Sequence, residues 1–230
     1  SGAGSTDMLV VMARTGVAGA KGISAFAVPA DLPGIRYGKK EDKMGWNSQP
    51  TRAIFFDDVR VPAANRLGEE GEGFRIAMKG LDGGRINIAT CSVGAAQGAF
   101  NAAQRYLGER QQFGKKLADF QALQFRLADM ATELVAARQM IRLAASKLDA
   151  AAPDTSIYCA MAKRFATDAG FNICNEALQL HGGYGYLRDY PLERLLRDAR
   201  VHQILEGTNE IMRVIIARRM LEADAPDSIR

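Results

Sequence analysis

Apolar residues recur along this chain in two rhythms. Over residues 1–70 they come in short runs, Met8–Ala13, Ile23–Val28 and Arg52–Phe56 with Val59 and Val61. Turn-rich stretches at Gly16–Gly22 and Asp31–Gly34 separate them. Short runs of this kind, rich in Val, Ile and Phe, predict a small β region. After Pro62 the grammar changes. From Glu72 onward prolines are few, and Ala, Leu, Arg and Gln give a helix-forming composition. The sequence therefore predicts an α+β chain, with a β-domain over 1–70 and a helical domain over 71–230, divided near EEGEG at 69–73.

The helical half reads in order. A first helix is expected from about Phe74 to Arg110, with Gly83–Gly84 in its interior. Glycine inside a helix costs about 1 kcal/mol relative to Ala, so the pair needs a reason. It is either a notch for a neighbouring helix or a place where a ligand approaches closely. The second helix carries Leu123, Leu127, Met130, Leu134, Ala137, Ile141, Ala144 and Leu148, spaced alternately by four and three. That is the seven-residue apolar stripe of an antiparallel bundle. It should end at Ala150–Pro153, with Asp154 or Thr155 capping a third helix. Ile157, Met161 and Phe165 carry that helix toward Leu180. The chain then turns through His181–Gly185, and Pro191 starts a helix leading to Leu205. The last helix spans Thr208–Leu221, before a polar tail 222–230 expected to fray.

Composition narrows the picture a little. A chain of 230 residues with 47% hydrophobic content can bury one good core or two small ones. The net charge of +4 is spread along the chain, so no nucleic-acid stripe is expected. Cys91, Cys159 and Cys174 lie in apolar runs without a CxxC pair, and are read as reduced core residues of an intracellular protein. No apolar run reaches membrane-spanning length, and no signal or transit sequence is visible. Trp46, the one tryptophan, is expected to anchor the core or a turn ahead of packing on a ligand.

The candidate chemistry centres on Val201–Arg213, VHQILEGTNEIMR. Gly207 disfavours helix, and Thr208 and Asn209 are natural N-caps. Glu206 is then held at a helix junction beside Ile204 and Leu205. A carboxylate in an apolar setting has a raised pKa and can act as a base. Alone, the stretch also fits an ordinary helix-end glutamate beside a cap. Two further motifs carry ligand chemistry. RQQFGKKL at 110–117 places Arg110, a fork of phosphate-matching donors, before a turn at Phe113–Gly114. QLHGGYGY at 179–186 puts three glycines in a five-residue window, where backbone N–H groups can approach an anion or an adenosine group. His202 and Glu206 lie four apart, but no third ligand is spaced to help, and no metal site is expected.

RQQFGKKL, QLHGGYGY and LEGTNEIMR, in this order and spacing, resemble the motifs of acyl-CoA dehydrogenases. The resemblance covers essentially the whole chain. LDGGRINIATCSVGAAQ at 81–97 is most similar to the branch acting on isobutyryl-CoA, in valine breakdown. The resemblance implies a partial β-domain followed by a C-terminal four-helix bundle, assembled as a homotetramer. It implies FAD as cofactor, acyl-CoA as substrate and an electron-transferring flavoprotein as acceptor. Glu206 would remove the α-proton while flavin N5 takes the β-hydride. Arg110, Gln112 and Phe113 would contact the FAD of a neighbouring subunit, with Phe120 and Gln121 beside them. Gln179, Leu180, His181, Gly182 and Gly183 would form the adenosine and pyrophosphate loop, with His181 stacking. Thr208, Asn209 and Glu210 would line the flavin. Asp82, Gly83, Gly84 and Arg85 would line the acyl-CoA, and Arg218 would reach its phosphate end. Some relatives carry the base at the position of Gly84; glycine cannot serve, so the role falls on Glu206. Family members are typically longer, so the chain is expected to be a fragment, with ring-contacting loops before Ser1 and Ser1 at the edge of that segment. The compartment implied is the cytoplasm in a bacterium or the mitochondrial matrix in a eukaryote. The rivals are a butyryl- or 2-methylbutyryl-CoA enzyme, or a helical binding relative that lost the chemistry.

Overall fold

A computed structural model describes residues 1–222; the tail expected to fray lies, from residue 223 on, outside the described residues. By contacts the chain falls into two compact units, Ser1–Leu81 and Asp82–Arg230.

In the first unit β1 (Met8–Arg14) pairs antiparallel with β2 (Ile23–Pro29), in register from Met8 opposite Pro29 to Arg14 opposite Ile23. The other edge of β2 takes β5 (Arg66–Leu67). β3 (Ile35–Tyr37) and β4 (Ile54–Phe56) form a separate ribbon. β3 and β5 were not predicted, because two or three residues are too few to show an alternation. Val59 and Val61 lie outside any strand: the run breaks at Asp57–Asp58, where Asp58 takes φ 50°. Leu9, Ala25 and Val28 form the core of this unit. Buried Ser24 ties the sheet to the start of the first helix, its Oγ accepting from Gly71 N–H at 3.0 Å. Trp46, half-buried at φ 52°, sits in the loop between β3 and β4 and its carbonyl accepts from Gln49 N–H at 3.1 Å, a turn anchor.

The helical chain comprises α1 (Gly73–Glu109), α2 (Gln121–Asp149), α3 (Thr155–Leu180), α4 (Leu192–His202) and α5 (Asn209–Met220). Between α1 and α2 a two-residue hairpin pairs β6 (Gln111–Gln112) with β7 (Lys115–Lys116). α3 is the central rod, packed by α2, α4 and α5. The α1 stripe facing the core is Ala89, Val93, Ala96, Ala99, Ala103 and Leu107, mostly small, which lets helices approach closely. Gly170 of α3 marks one close approach, since a Cβ there would stand 3.0 Å from Ser92 Cβ. The α2 stripe is buried from Met130 to Ala144, while Leu148 at its end is 36% exposed. Met161 and Phe165 are only half-buried.

Three local expectations are corrected. Cys91 is exposed, because it falls off the α1 stripe, whereas Cys159 and Cys174 are buried and their thiols are pushed up to about 11 and about 12 by burial. Asp154 makes no side-chain cap; its carboxylate pairs with Lys147 at 2.7 Å instead. α4 stops at His202 rather than Leu205. Leu205 N–H still reaches Val201 O at 3.0 Å, so helix-like bonding outlasts the helix and the apolar pattern hides its end.

Candidate active site

His202 ends α4 fully buried, its Nδ1 2.7 Å from Ser92 Oγ on α1. Burial holds its imidazole well below the usual range, at about 4. After it the chain closes a tight loop, with Asn209 N–H donating to Gln203 O at 3.0 Å. Within that loop Glu206 and Gly207 take φ 57° and 89° in succession. Left-handed backbone is ordinary for glycine and costly for glutamate, so the surrounding structure must hold Glu206 there. Thr208 then caps α5 as the sequence predicted, its Oγ accepting from Ile211 N–H at 3.4 Å.

The holding groups come from α3. Lys163 is completely buried and donates to Gly207 O and to Asn209 Oδ1, both at 2.8 Å. Asn209 Nδ2 donates to Asp168 Oδ1 at 2.7 Å and to Thr167 Oγ at 2.9 Å. Gln203 Nε2 reaches the same Asp168 oxygen at 2.8 Å. Desolvation lowers the Lys163 ammonium to about 8, against the opposing pull of Asp168.

The loop aims the half-buried Glu206 carboxylate at α1. A Cβ built on Gly84 would lie 2.4 Å from Glu206 Oε2 and 2.8 Å from its Cδ. The notch at Gly83–Gly84 is thus occupied at Gly84 by this carboxylate, rather than by a neighbouring helix, while a Cβ at Gly83 would meet nothing within 4 Å. On the same turn Arg85 is 6% exposed and pairs with Asp82 at 2.8 Å. Ser156 donates to that Asp82 oxygen at 3.1 Å, and Arg85 Nε is buried with no acceptor among the described residues. With α4 ending at His202, Glu206 and His202 share no helix face. Among the described residues no three potential metal ligands cluster.

A second cluster forms where α1 ends. Phe113 and Gly114, both at positive φ (57° and 77°), make the two-residue turn of the hairpin. Arg110 has no ion pair among the described residues; its guanidinium lies 5.4 Å from the Tyr184 ring centroid. Arg110 and Gln112 share a basin of about 600 Å³ with Gln179, Leu180, His181, Gly182 and Gly183, so the two separate motifs converge. The glycines there divide by role. A Cβ at Gly185 would stand 2.4 Å from Leu178 O, so packing demands that glycine. Cβ atoms at Gly182 and Gly183 would meet nothing within 4 Å, which leaves their backbone open to a ligand. His181 is buried, donates from Nδ1 to Ala177 O at 2.8 Å and stacks on Tyr106 at 4.3 Å. A guanidinium with no ion pair among the described residues, a lining of leucines and tyrosines, and accessible backbone suit a pyrophosphate and a nucleoside.

The remaining expected residues lie as follows. Phe113 is 90% exposed, edge-on to Phe120 at 6.2 Å, and Gln121 is the exposed first residue of α2. Neither aromatic lines the basin. The Asn209 side chain turns inward, while Glu210 is exposed; a hydrogen bond from its own backbone N–H and one with Thr208 hold its carboxyl below the usual range. Arg218 lines a separate cavity of about 280 Å³ with Asp154 and Ser156. Ser1 is exposed in the β unit. Sequence reasoning missed Lys163 and Asp168. Their signal was a lone lysine among small and apolar neighbours in AMAKRFATDAG.

Residues 71–221 match the family profile described as "Acyl-CoA dehydrogenase, C-terminal domain", and residues 1–59 the profile "Acyl-CoA dehydrogenase, middle domain". The mitochondrial isobutyryl-CoA dehydrogenase of Bos taurus is 58% identical over 96% of this chain and 53% of its own length. That of Dictyostelium discoideum is 55% identical over 97% and 54%. The solved butyryl-CoA dehydrogenase of Megasphaera elsdenii superposes with a TM-score of 0.94 at 44% identity, over 96% of this chain and 58% of that one. The chain thus spans about half the length of the curated relatives it matches.

Proposed function

The chain belongs to the acyl-CoA dehydrogenase family, and on that premise we propose that the protein containing it desaturates a short, branched acyl-CoA, isobutyryl-CoA first among them. The observation that carries the reading is the Glu206 carboxylate, held by a left-handed loop against Gly84 of α1, where no side chain displaces it. Glu206 removes the α-proton of the thioester. Its own backbone N–H, at the apex of the loop, is the donor for the thioester oxygen on which charge builds. Asp82, Arg85 and the open face of Gly83 border the acyl group, and Arg218 serves the distal end of CoA. FAD, when bound, supplies the acceptor for the β-hydride. Arg110, Gln112 and the Gly182–Gly183 backbone would hold its pyrophosphate and adenosine, with Phe113, Phe120 and Gln121 at the hairpin and Thr208 and Glu210 beside the flavin. The open backbone, and an Arg110 with no ion pair among the described residues, support that fit. The reading extends to a middle β-domain over 1–70 and a helical domain over 71–230, a homotetramer, and an electron-transferring flavoprotein as acceptor. The two mitochondrial relatives support the matrix as compartment in a eukaryote; in a bacterium the enzyme works in the cytoplasm.

The test is Glu206→Gln in the full-length protein. Gln keeps the shape and loses the proton acceptor, so turnover should fall by about 10²–10⁴-fold with flavin content retained. Turnover within a few-fold of wild type would remove Glu206 from the mechanism. Substrate choice is checked by kcat/KM on isobutyryl-, butyryl- and 2-methylbutyryl-CoA. A methyl group is worth about 1–3 kcal/mol, so the preference for isobutyryl-CoA is expected to be modest.

A further inference from the structure

We propose that Lys163 is the positioning residue that aims Glu206, by pinning the Gly207 carbonyl and the Asn209 side chain from inside the bundle. This rests on Glu206 being the base. The observations are geometric. A lysine is rarely fully buried unless it is paired, yet Lys163 has no exposed surface and faces no carboxylate at hydrogen-bond distance. Its two acceptors flank the turn instead: a backbone carbonyl at Gly207 and an amide at Asn209. Glu206, the residue before Gly207, holds a left-handed conformation that an L-residue leaves readily unless its neighbours forbid it. Lys163 fixes the Gly207–Thr208 peptide, the second peptide after Glu206, and so limits how the turn that carries Glu206 can rotate. Gln203 and Asn209, gathered on Asp168, fix the two ends of the loop. A core built for stability alone would place an apolar residue here, because a buried ammonium carries a desolvation cost that two neutral acceptors offset only in part.

The ammonium is also surrounded on every side by charge or potential charge. Asp168 stands on its own helix, Arg85 on α1, His202 at the end of α4, Glu206 in the loop and Glu210 on α5. With its proton lost at about 8, Lys163 keeps its place but its two hydrogen bonds lose their charge assistance.

The experiment uses the full-length, FAD-loaded protein with Lys163→Met, and Glu206→Gln as reference. Binding of a non-reactive acyl-CoA thioether and KM should stay within about threefold of wild type, since Lys163 touches no substrate. The value of kcat should fall by about 10²-fold, the scale of a 1 Å misplacement of a reacting group. In the wild type kcat is expected to fall above about pH 8, as Lys163 loses its proton, and that fall should be absent in the variant, which a merely structural lysine would not produce. If Lys163→Met does not fold, Asp168→Asn loosens the same network from a half-exposed position. It should lower kcat by roughly tenfold at unchanged KM, since one charged acceptor becomes neutral. A kcat within about threefold of wild type in the folded variant, with Glu206→Gln inactive, overturns the role of Lys163 and leaves the base standing. An active Glu206→Gln overturns both.

Discussion

At the Glu206 junction the polar groups that shape the backbone find their partners inside the helical unit, whereas around Arg110 they face outward. Lys163, Asn209, Gln203 and Asp168 bond one another or the loop at 2.7–2.8 Å. In the basin Arg110 has a ring contact and no ion pair among the described residues, two glycines expose bare backbone, and Phe113 at the hairpin tip is 90% exposed. Both regions hold a non-glycine residue at φ 57°. In the first, buried hydrogen bonds hold the strain. In the second, only a two-residue turn and one ring contact do. The difference separates a catalytic group, which must be aimed before substrate arrives, from a binding surface, whose partners are supplied by the ligand.

The sharpest way to break this contrast is Gly84→Ala. The added Cβ would stand 2.4 Å from Glu206 Oε2, and the carboxylate must move. The carboxylate is the flexible end of a side chain, so the fold should not suffer. Helix propensity alone favours Ala by about 1 kcal/mol. The expected result is an unchanged or raised melting temperature with kcat lowered by about 10²-fold. A fully active Gly84→Ala would mean that Glu206 does not need the notch, and the junction would lose its claim to be preset.

Arg110→Ala probes the other side. No ion pair among the described residues is lost, so stability should hold while FAD affinity falls by about 1.5–3 kcal/mol, the range of a hydrogen bond to a charged group. Gel filtration followed by flavin absorbance reads the loss directly. Destabilisation without loss of FAD would make Arg110 a structural residue and erase the contrast.

A pH titration sharpens the junction further. His202 is 2% exposed and held neutral, with its value lowered to about 4. An unfolded histidine titrates near 6.5, so between these values the unfolded chain binds the extra proton. Stability is therefore fully present above about 6.5 and is lost as pH falls toward 4, by about 2 kcal/mol between pH 7 and 5. Urea unfolding at both pH values should show this loss, and His202→Gln should remove most of it. An equal loss in the variant would place the acid sensitivity elsewhere.

The long elements were legible because their signals are long. The α2 stripe repeats over several turns, and Thr208 announced its cap by residue type. What escaped was set by tertiary context. Lys163 lies next to the polar row of α3, Arg164, Asp168, Asn172 and Glu176, so its charge reads as part of that row, although its side chain points into the buried side beside Ala160, Ala166 and Thr167. The use of Gly84 could not be read either, since the carboxylate that fills it comes from more than a hundred residues away. β3, β5 and the hairpin strands are two or three residues long, below the length at which alternation carries information. Phe113–Gly114 was legible as a turn, but its left-handed phenylalanine was not.

That phenylalanine gives the smallest and most discriminating test. A two-residue hairpin with positive φ at both central positions favours Asn-Gly, because Asn tolerates the left-handed region and Phe does not. The native pair is Phe-Gly, so the hairpin retains a residue that its own geometry disfavours. Its ring contributes little to packing, with one edge-on contact to Phe120 at 6.2 Å. Phe113→Asn should therefore raise the free energy of unfolding by a few tenths to about 1 kcal/mol, the gain typical of relieving backbone strain. The same change should lower FAD retention, because an apolar ring held out in solvent has value only against a ligand or a second subunit. A stabilised variant that keeps its flavin would show that Phe113 is no part of the binding surface. A destabilised one would show that its contact with Phe120 outweighs the strain, and the basin would then be held from within, as the Glu206 junction is.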